Sequence, residues 1–371
     1  PASGQIRTIQ FGARRVVEKI EIAIKDNEKI SFPALTKLNL ESLDRNKILD
    51  IILEANLFTL IRQRPFNKVA DPIDTPRDIF ISGHNSSPLS VDLQNLIEQE
   101  RDAFQTGLTL LNKLTEGTVF LTLRSPMQFE NVLVQTISGP HPSGNVGIQI
   151  HHTKPLKPGE VIWSVNAQHV ITLGRLFKTG SYDPAVIVSI GGSGATNPST
   201  VKTITGVNIG FLVEEQNLKE PARLISGDVL TGKTVENADF LGFYDSSVSI
   251  INDDVKRPFL GMLSPGSSRT KYSLTQAFLS FGNKAFNFTS SQNGELRAMV
   301  PLNAWEDVLP MDIYPNPLYR AILAQDIEEM EKLGIWECDD EDFALCSFSC
   351  PSKIDVGGMI REGLDLMERE G

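Results

Sequence analysis

An α+β chain made of several domains is predicted by three observations: its length, a strand, helix, strand order between Asp78 and Ile137, and a change of texture after Ala185. At about 150 residues per domain, 371 residues call for two to four compact units. Apolar residues at 40% against 22% charged give the balance of a chain that folds throughout, not that of a long disordered one.

The elements follow in order. Gln5 to Ile9 lead through a turn at Gly12 into Val16 to Ile24, where Val17, Ile20, Ile22 and Ile24 alternate imperfectly as a strand. Two short strands cannot bury a face alone, so they pair with something upstream or pack on the next domain. From Ser42 to Leu60 the apolar positions fall at helical spacing, with Ser42 or Asp44 as the accepting cap and Arg64-Pro65 beyond the end. A strand at Asp78 to Ile81 precedes the turn-rich Ser82 to Pro88, and a second long helix runs from Asp92 to Leu114. Thr118 to Leu123, Val132 to Ile137 and Val146 to Ile150 read as further strands, which makes an open sheet with parallel strands over residues 38–180. Beyond it, short apolar segments and crowded turns give a small mixed β unit over 181–254. Past Val255, Pro301, Pro310, Pro315 and Pro317 break the chain before helices at Leu318 to Leu333 and Val356 to Glu370, a helical unit over 255–371. Residues 1–37 remain as a β segment and linker.

Composition excludes several classes of function. No stretch approaches the roughly 18 apolar residues that cross a bilayer, so no membrane-spanning helix is expected. A formal charge of −11, without a Lys/Arg stripe, repels nucleic-acid phosphates. All three cysteines lie between Cys338 and Cys350, which is no disulfide framework and fits a reducing compartment. Four-iron clusters take thiolates spaced C-x₂-C-x₂-C-x₃-C-P, and only Cys346-x₃-Cys350-Pro351 matches the end of that run. These cysteines are expected to pack a helical core, and no metal site is expected. Gly192-x-Gly194 lacks the third glycine of a dinucleotide fingerprint and reads as a β-turn. His151 and His152, adjacent in an expected strand, point to opposite faces and cannot share one ion. No Ser/His/Asp constellation with a nucleophile elbow is present, and no catalytic residue is assigned.

At Arg64-Pro65-Phe66-Asn67-Lys68-Val69-Ala70-Asp71-Pro72, Ser138 to Gly147, Ser226 to Gly232 and Glu337 to Pro351, the chain resembles the NqrA family, one of the subunits of the sodium-pumping NADH:quinone reductases. These four segments, in order, span nearly the whole chain. The resemblance implies a partial biotinyl- or lipoyl-carrier-like β segment at the start, whose first half would precede Pro1. It implies next a Rossmann-like α/β domain resembling the flavin subunit of complex I, then a β-grasp domain of the soluble-ligand-binding type, and last a C-terminal helical domain.

It implies also a peripheral subunit on the cytoplasmic face of the bacterial inner membrane, inside a complex that couples NADH oxidation and quinone reduction to Na⁺ export. FAD, FMN, iron–sulfur and NADH chemistry would lie in partner subunits, and the isolated chain would be inactive. Quinone contact is the one ligand expectation. Arg62, Arg64, Phe66 and Lys68 form a basic, aromatic segment that offers a wall and carbonyl donors to such a ring. The loop carrying Gly139, His141, Gly144 and Gly147 is a side-chain-poor rim, in the region where the complex I relative binds flavin. The alternatives are a cofactor-free structural adaptor of the complex, or an iron–sulfur electron carrier akin to the ferredoxin-linked relative.

Overall fold

The structure is a computed structural model that describes residues 2–25, 30–34, 40, 42–216, 218, 221–253, 286–300 and 302–371. Pro1, Pro301 and the borders expected at 37/38 and 254/255 lie outside the described residues. Gly4–Phe11 (β1) and Val17–Ile24 (β2) pair antiparallel, with Ile6 opposite Ile22 and Ile9 opposite Ile20. The ribbon is tied on by Lys19, which reaches Asp239 at 3.7 Å and lies over the Phe240 ring.

A helix over Arg45–Glu54 (α1) begins at Asp44, whose carboxylate accepts from the Lys47 amide. It is shorter than its apolar spacing predicts. Asn56 turns to φ +56°, and Phe58 to Leu60 continue only as a 3₁₀ turn, which brings Phe58 edge-on to Trp163. Arg62–Arg64 (β3), Lys68–Val69 (β4), Ile79–Ser82 (β5), Val119–Leu123 (β6), Leu133–Thr136 (β7) and Ile162–Asn166 (β8) form one sheet in the order β4-β3-β8-β5-β6-β7. The β5, β6, β7 and β8 strands run parallel, while β3 and β4 turn back along the β8 edge.

The helix expected from Asp92 to Leu114 is two, Leu93–Gln99 (α2) and Arg101–Asn112 (α3), broken where Glu100 leaves helical geometry and its carboxylate takes Arg175 at 2.6 Å. Val146–Thr153 is a helix (α4), where the sequence reads as a strand. Its run Val146-Gly147-Ile148-Gln149-Ile150 alternates only because the helix is buried on two sides. Val146 and Ile150 pack on Phe80 and Phe120 of the sheet, and Ile148 packs into the helical unit. Ala167–Thr179 (α5) follows β8 and crosses α3 at backbone contact, since a Cβ on Gly174 or Gly107 would overlap the Ala103 or Val170 carbonyl.

The second sheet holds Ala185–Gly191 (β9), Ser199–Ile204 (β10), Ala222–Ser226 (β11), Lys233–Val235 (β12) and Ser247–Asn252 (β13), in the order β10-β9-β13-β11-β12. Its core is Val188, Ile190, Leu224, Val248 and Ile250, closed by a short helix at Ile209–Val213 (α6). The helical unit packs around Phe343, Leu318, Met330 and Leu364. Its expected helix at Leu318 to Leu333 is also two, Pro315–Ala324 (α7) and Ile327–Lys332 (α8), since Gln325 turns left-handed and Asp326 caps the second. Ala344–Ser349 (α9) and Val356–Glu370 (α10) complete it, the last over the range its periodicity predicts. Among the described residues no helix is long and apolar enough to cross a membrane.

Asp78 shows how the sheet is anchored. Its buried carboxylate accepts from the Thr118 amide at 3.0 Å, from Arg77 at 2.7 Å and from Lys154 at 2.6 Å. Burial raises its pKa, but Lys154, the Thr118 amide and Arg77 outweigh that and hold it below the ordinary 3.8. A carboxyl lowered on folding stabilises above its unfolded pKa and loses that contribution as pH falls through the folded one. Melting temperature below about pH 4 is therefore expected to drop more steeply for the native chain than for Asp78→Asn, read by thermal unfolding across acid pH.

Candidate functional site

The chain leaves β5 for β6 on one side and returns to β8 on the other, so the sheet order reverses between β5 and β8. In open α/β sheets, ligands sit in the crevice beyond the carboxyl ends of the strands at such a switch point. A cleft of about 340 Å³ lies there, lined by Ser82 and Asn166 at the strand ends, Arg62 from β3, Tyr244 and Asp228 from the second-sheet side, and Glu341 from the helical unit. Beside it, past the ends of β6 and β7, lies a larger cavity of about 670 Å³. The loop from Ser138 to Gly147 separates the two: residues up to Ser143 line the larger cavity, and Gly144 to Val146 line the cleft.

That loop is held from the β5 side. The Gly144 amide donates to Ser86 Oγ at 2.7 Å, and the same hydroxyl pairs with His141 Nδ1 at 3.1 Å. Burial holds the imidazole below its usual pKa. Gln149, fully buried, donates to the Gly144 carbonyl at 3.0 Å and to Ser82 Oγ at 3.3 Å. Ser86→Ala removes the shared oxygen and is expected to cost about 1 kcal/mol, read as a fall in melting temperature. On the cleft side, His169 is pushed down to about 4 by burial, which outweighs its bond to the Leu60 carbonyl, with Arg62 nearby adding to the shift.

Below the cleft, the 3₁₀ turn Asp340 to Phe343 faces β3. Arg64, 3% exposed, binds Asp339 Oδ2 at 2.8 Å and Glu341 Oε1 at 3.0 Å. Asn67 donates to the same Asp339 oxygen at 2.6 Å, and Asn145, next to the first turn of α4, donates to the Glu341 carbonyl at 3.1 Å. Phe66 and Asn67 stand at φ +76° and +47°, a left-handed turn rare for such residues. It is held by Arg361 on the Phe66 carbonyl at 2.9 Å and by Trp336 edge-on to the Phe66 ring.

The sequence candidates thus divide. Arg62 and Arg64 reach the cleft, with the Arg62 guanidinium 4.6 Å over the Tyr244 ring. Phe66 and Lys68 pack instead on the helical unit, Lys68 pairing with Glu368. Gly139 and His141 line the larger cavity, and Gly144 lines the cleft. Gly147 lines neither: its bare Cα leaves room for the Asp342 carboxylate, which a Cβ would overlap. His151 and His152, expected on opposite faces of a strand, sit instead on α4 with their rings 5.2 Å apart. His151 takes Glu337 at 2.8 Å, and His152 donates to the Pro310 carbonyl at 2.8 Å, so both fasten the helical unit to α4. The three thiols lie in the helical core, and burial pushes Cys346 up to about 12. Sequence reasoning missed Ser86, Tyr244 and the carboxylates Asp339, Glu341 and Asp342. The one available clue to the last was the density of acids between Glu337 and Asp342.

Comparison with known proteins joins these units into one family. Residues 43–182 match the family described as "NqrA second alpha/beta domain", and residues 187–237 match "NQRA C-terminal domain". The NqrA subunit of the Na⁺-translocating NADH-quinone reductase of Pasteurella multocida (strain Pm70) is 39% identical over 379 residues, covering 100% of this chain and 84% of the relative. That of Hahella chejuensis (strain KCTC 2396) is 37% identical over 380 residues with the same coverage. Among solved structures, the NAD⁺-reducing NiFe hydrogenase in its H₂-reduced state is 12% identical, with a TM-score of 0.43 over 62% of this chain and 52% of that one. With identity of this level running end to end, the chain belongs to the NqrA family of the Na⁺-translocating NADH-quinone reductases.

Proposed function

We propose that the chain acts as a peripheral subunit of a Na⁺-translocating NADH:quinone reductase, on the cytoplasmic face of the membrane, and that it contributes docking surfaces and a contact for quinone. The observation that carries the reading is the match to NqrA relatives along 100% of the chain. The Rossmann-like and β-grasp assignments belong to the same reading. The parallel β5 to β8 core supports the first, and the order β10-β9-β13-β11-β12, with α6 between β10 and β11, supports the second. Iron–sulfur, flavin and NADH chemistry falls to partner subunits.

The larger cavity suits a neutral flat ring better than a nucleotide. Ile137, Pro140, Ile148, Val308, Leu309 and Leu345 give it apolar walls, its lining among the described residues includes no Lys or Arg, and Glu306 and Asp307 repel an anion. Thr136 and Ser138 bring hydroxyls to the lining that can donate to carbonyls. Of the sequence candidates, Gly139 and His141 line this cavity, and Arg62 stands at the neighbouring cleft. Two measurements test the reading. Expression in a strain lacking its own NqrA is expected to restore NADH-driven quinone reduction and Na⁺ export, whereas the purified chain alone oxidises no NADH. Titration with a short-chain quinone is expected to quench tryptophan fluorescence saturably, through Trp305 beside the cavity, and Ser138→Trp is expected to abolish saturation. Quenching that stays linear, or is untouched by Ser138→Trp, removes the quinone contact and leaves the adaptor reading.

A further inference from the structure

The carboxylates beneath the cleft carry more negative charge than the cations facing them can neutralise. Asp339, Asp340, Glu341 and Asp342 come from one short stretch. Against them stand Arg64 from β3 and Arg361 from α10, the latter 3.5 Å from Asp339 Oδ1 and 3.6 Å from Asp340 Oδ1. Asn67 and Asn145 add neutral donors, the Cys338 thiol lies close to Asp342, and Asp228 from the second-sheet unit adds a further negative charge facing Glu341.

Asp342 is the member left out of the pairing. Its side chain is 1% exposed, neither carboxylate oxygen accepts a hydrogen bond of good geometry among the described residues, and the bare Cα of Gly147 on α4 leaves the room it occupies. An ionised carboxyl so enclosed pays its full desolvation cost, whereas a protonated one does not. We propose that this turn is a proton-binding site: Asp342 holds a proton while the helical unit is seated on α4 and β3, so seating takes up one proton from solvent and ionisation of Asp342 loosens the seat.

The electrostatics agree in direction. Burial first and Glu341 second push Asp342 up to about 7, while Arg64 and Asn145 pull the other way. Its ordinary value is 3.8, so the contribution is complete below that pH and is lost as pH rises to about 7. Within that window the seating equilibrium is expected to weaken by up to about tenfold per pH unit.

Hydrogen exchange of the full chain tests this, read on peptides covering 144–150 and 339–346 and corrected for intrinsic exchange. Between about pH 5 and about pH 8, protection of the native chain is expected to fall at least tenfold. Asp342→Asn is expected to lessen that fall clearly, the raised Asp339 and Glu341 leaving a remainder, and Asp340→Asn, at the solvent edge, to keep the native slope. Native protection independent of pH, or an unchanged slope in Asp342→Asn, overturns the proposal. Should Asp342→Asn fail to fold, infrared spectra of the native chain decide: the band of a protonated carboxylic acid is expected at the acid end and not at the alkaline one. No such band at the acid end overturns the proposal equally.

Discussion

Arg64→Ala is expected to destabilise the chain by about 3–5 kcal/mol, because it takes from the buried Asp339 carboxylate the closest cation it has. Arg64 is the guanidinium that reaches both Asp339 and Glu341, and Asp339 is fully enclosed. The loss should fall on the seat of the helical unit, seen as early proteolytic cleavage there and a lower melting temperature for the whole chain. Arg64→Lys should recover only part, since one ammonium cannot copy a planar fork of donors. Adding Asp339→Asn to Arg64→Ala should restore some stability by removing the stranded charge. A loss under about 1 kcal/mol for Arg64→Ala would mean that the pair neither holds the units together nor needs its cation.

The second large effect is expected at Gly174. A methyl there meets the Ala103 carbonyl and the Gly107 amide, both backbone atoms in the facing helix, so no side chain can swing aside. Overpacking of this kind costs about 1–3 kcal/mol, and the upper end applies where whole helices must separate. Phe104, Leu108, Val170 and Leu173, all fully buried around that crossing, would lose contact together. Gly174→Ala should lower the denaturation midpoint by that amount, and Gly174→Leu should prevent folding. A midpoint within error of the native one for Gly174→Ala would show that α3 and α5 can part at little cost.

Much of the fold was legible because its elements are bounded by local chemistry. The strands at β5, β6 and β7, and α10, stand where apolar runs and turn residues place them. Failures came where a neighbour decided the outcome. Glu100 breaks a helix to meet Arg175, and Gln325 breaks another although neither glycine nor proline is present. The α4 segment has five residues alternating as a strand would, and only the two bodies on either side of it explain that pattern. Legibility of the site was lower for the same reason. Arg64 and Asp339 are 275 positions apart, a pairing no spacing announces. The loop from Gly139 to Gly147 drew notice for its glycines, yet each serves a different surroundings: one beside a cavity, one against Ser86, one against a carboxylate.

The depth of the cysteines has a practical consequence. Cys338, Cys346 and Cys350 are shut inside the helical core, and burial holds the protons of Cys338 and Cys346 tightly, so an alkylating reagent can reach the three only when that core opens. Their rate of labelling is therefore a clock for unfolding of this one unit, readable by mass spectrometry without introducing a dye or a substitution.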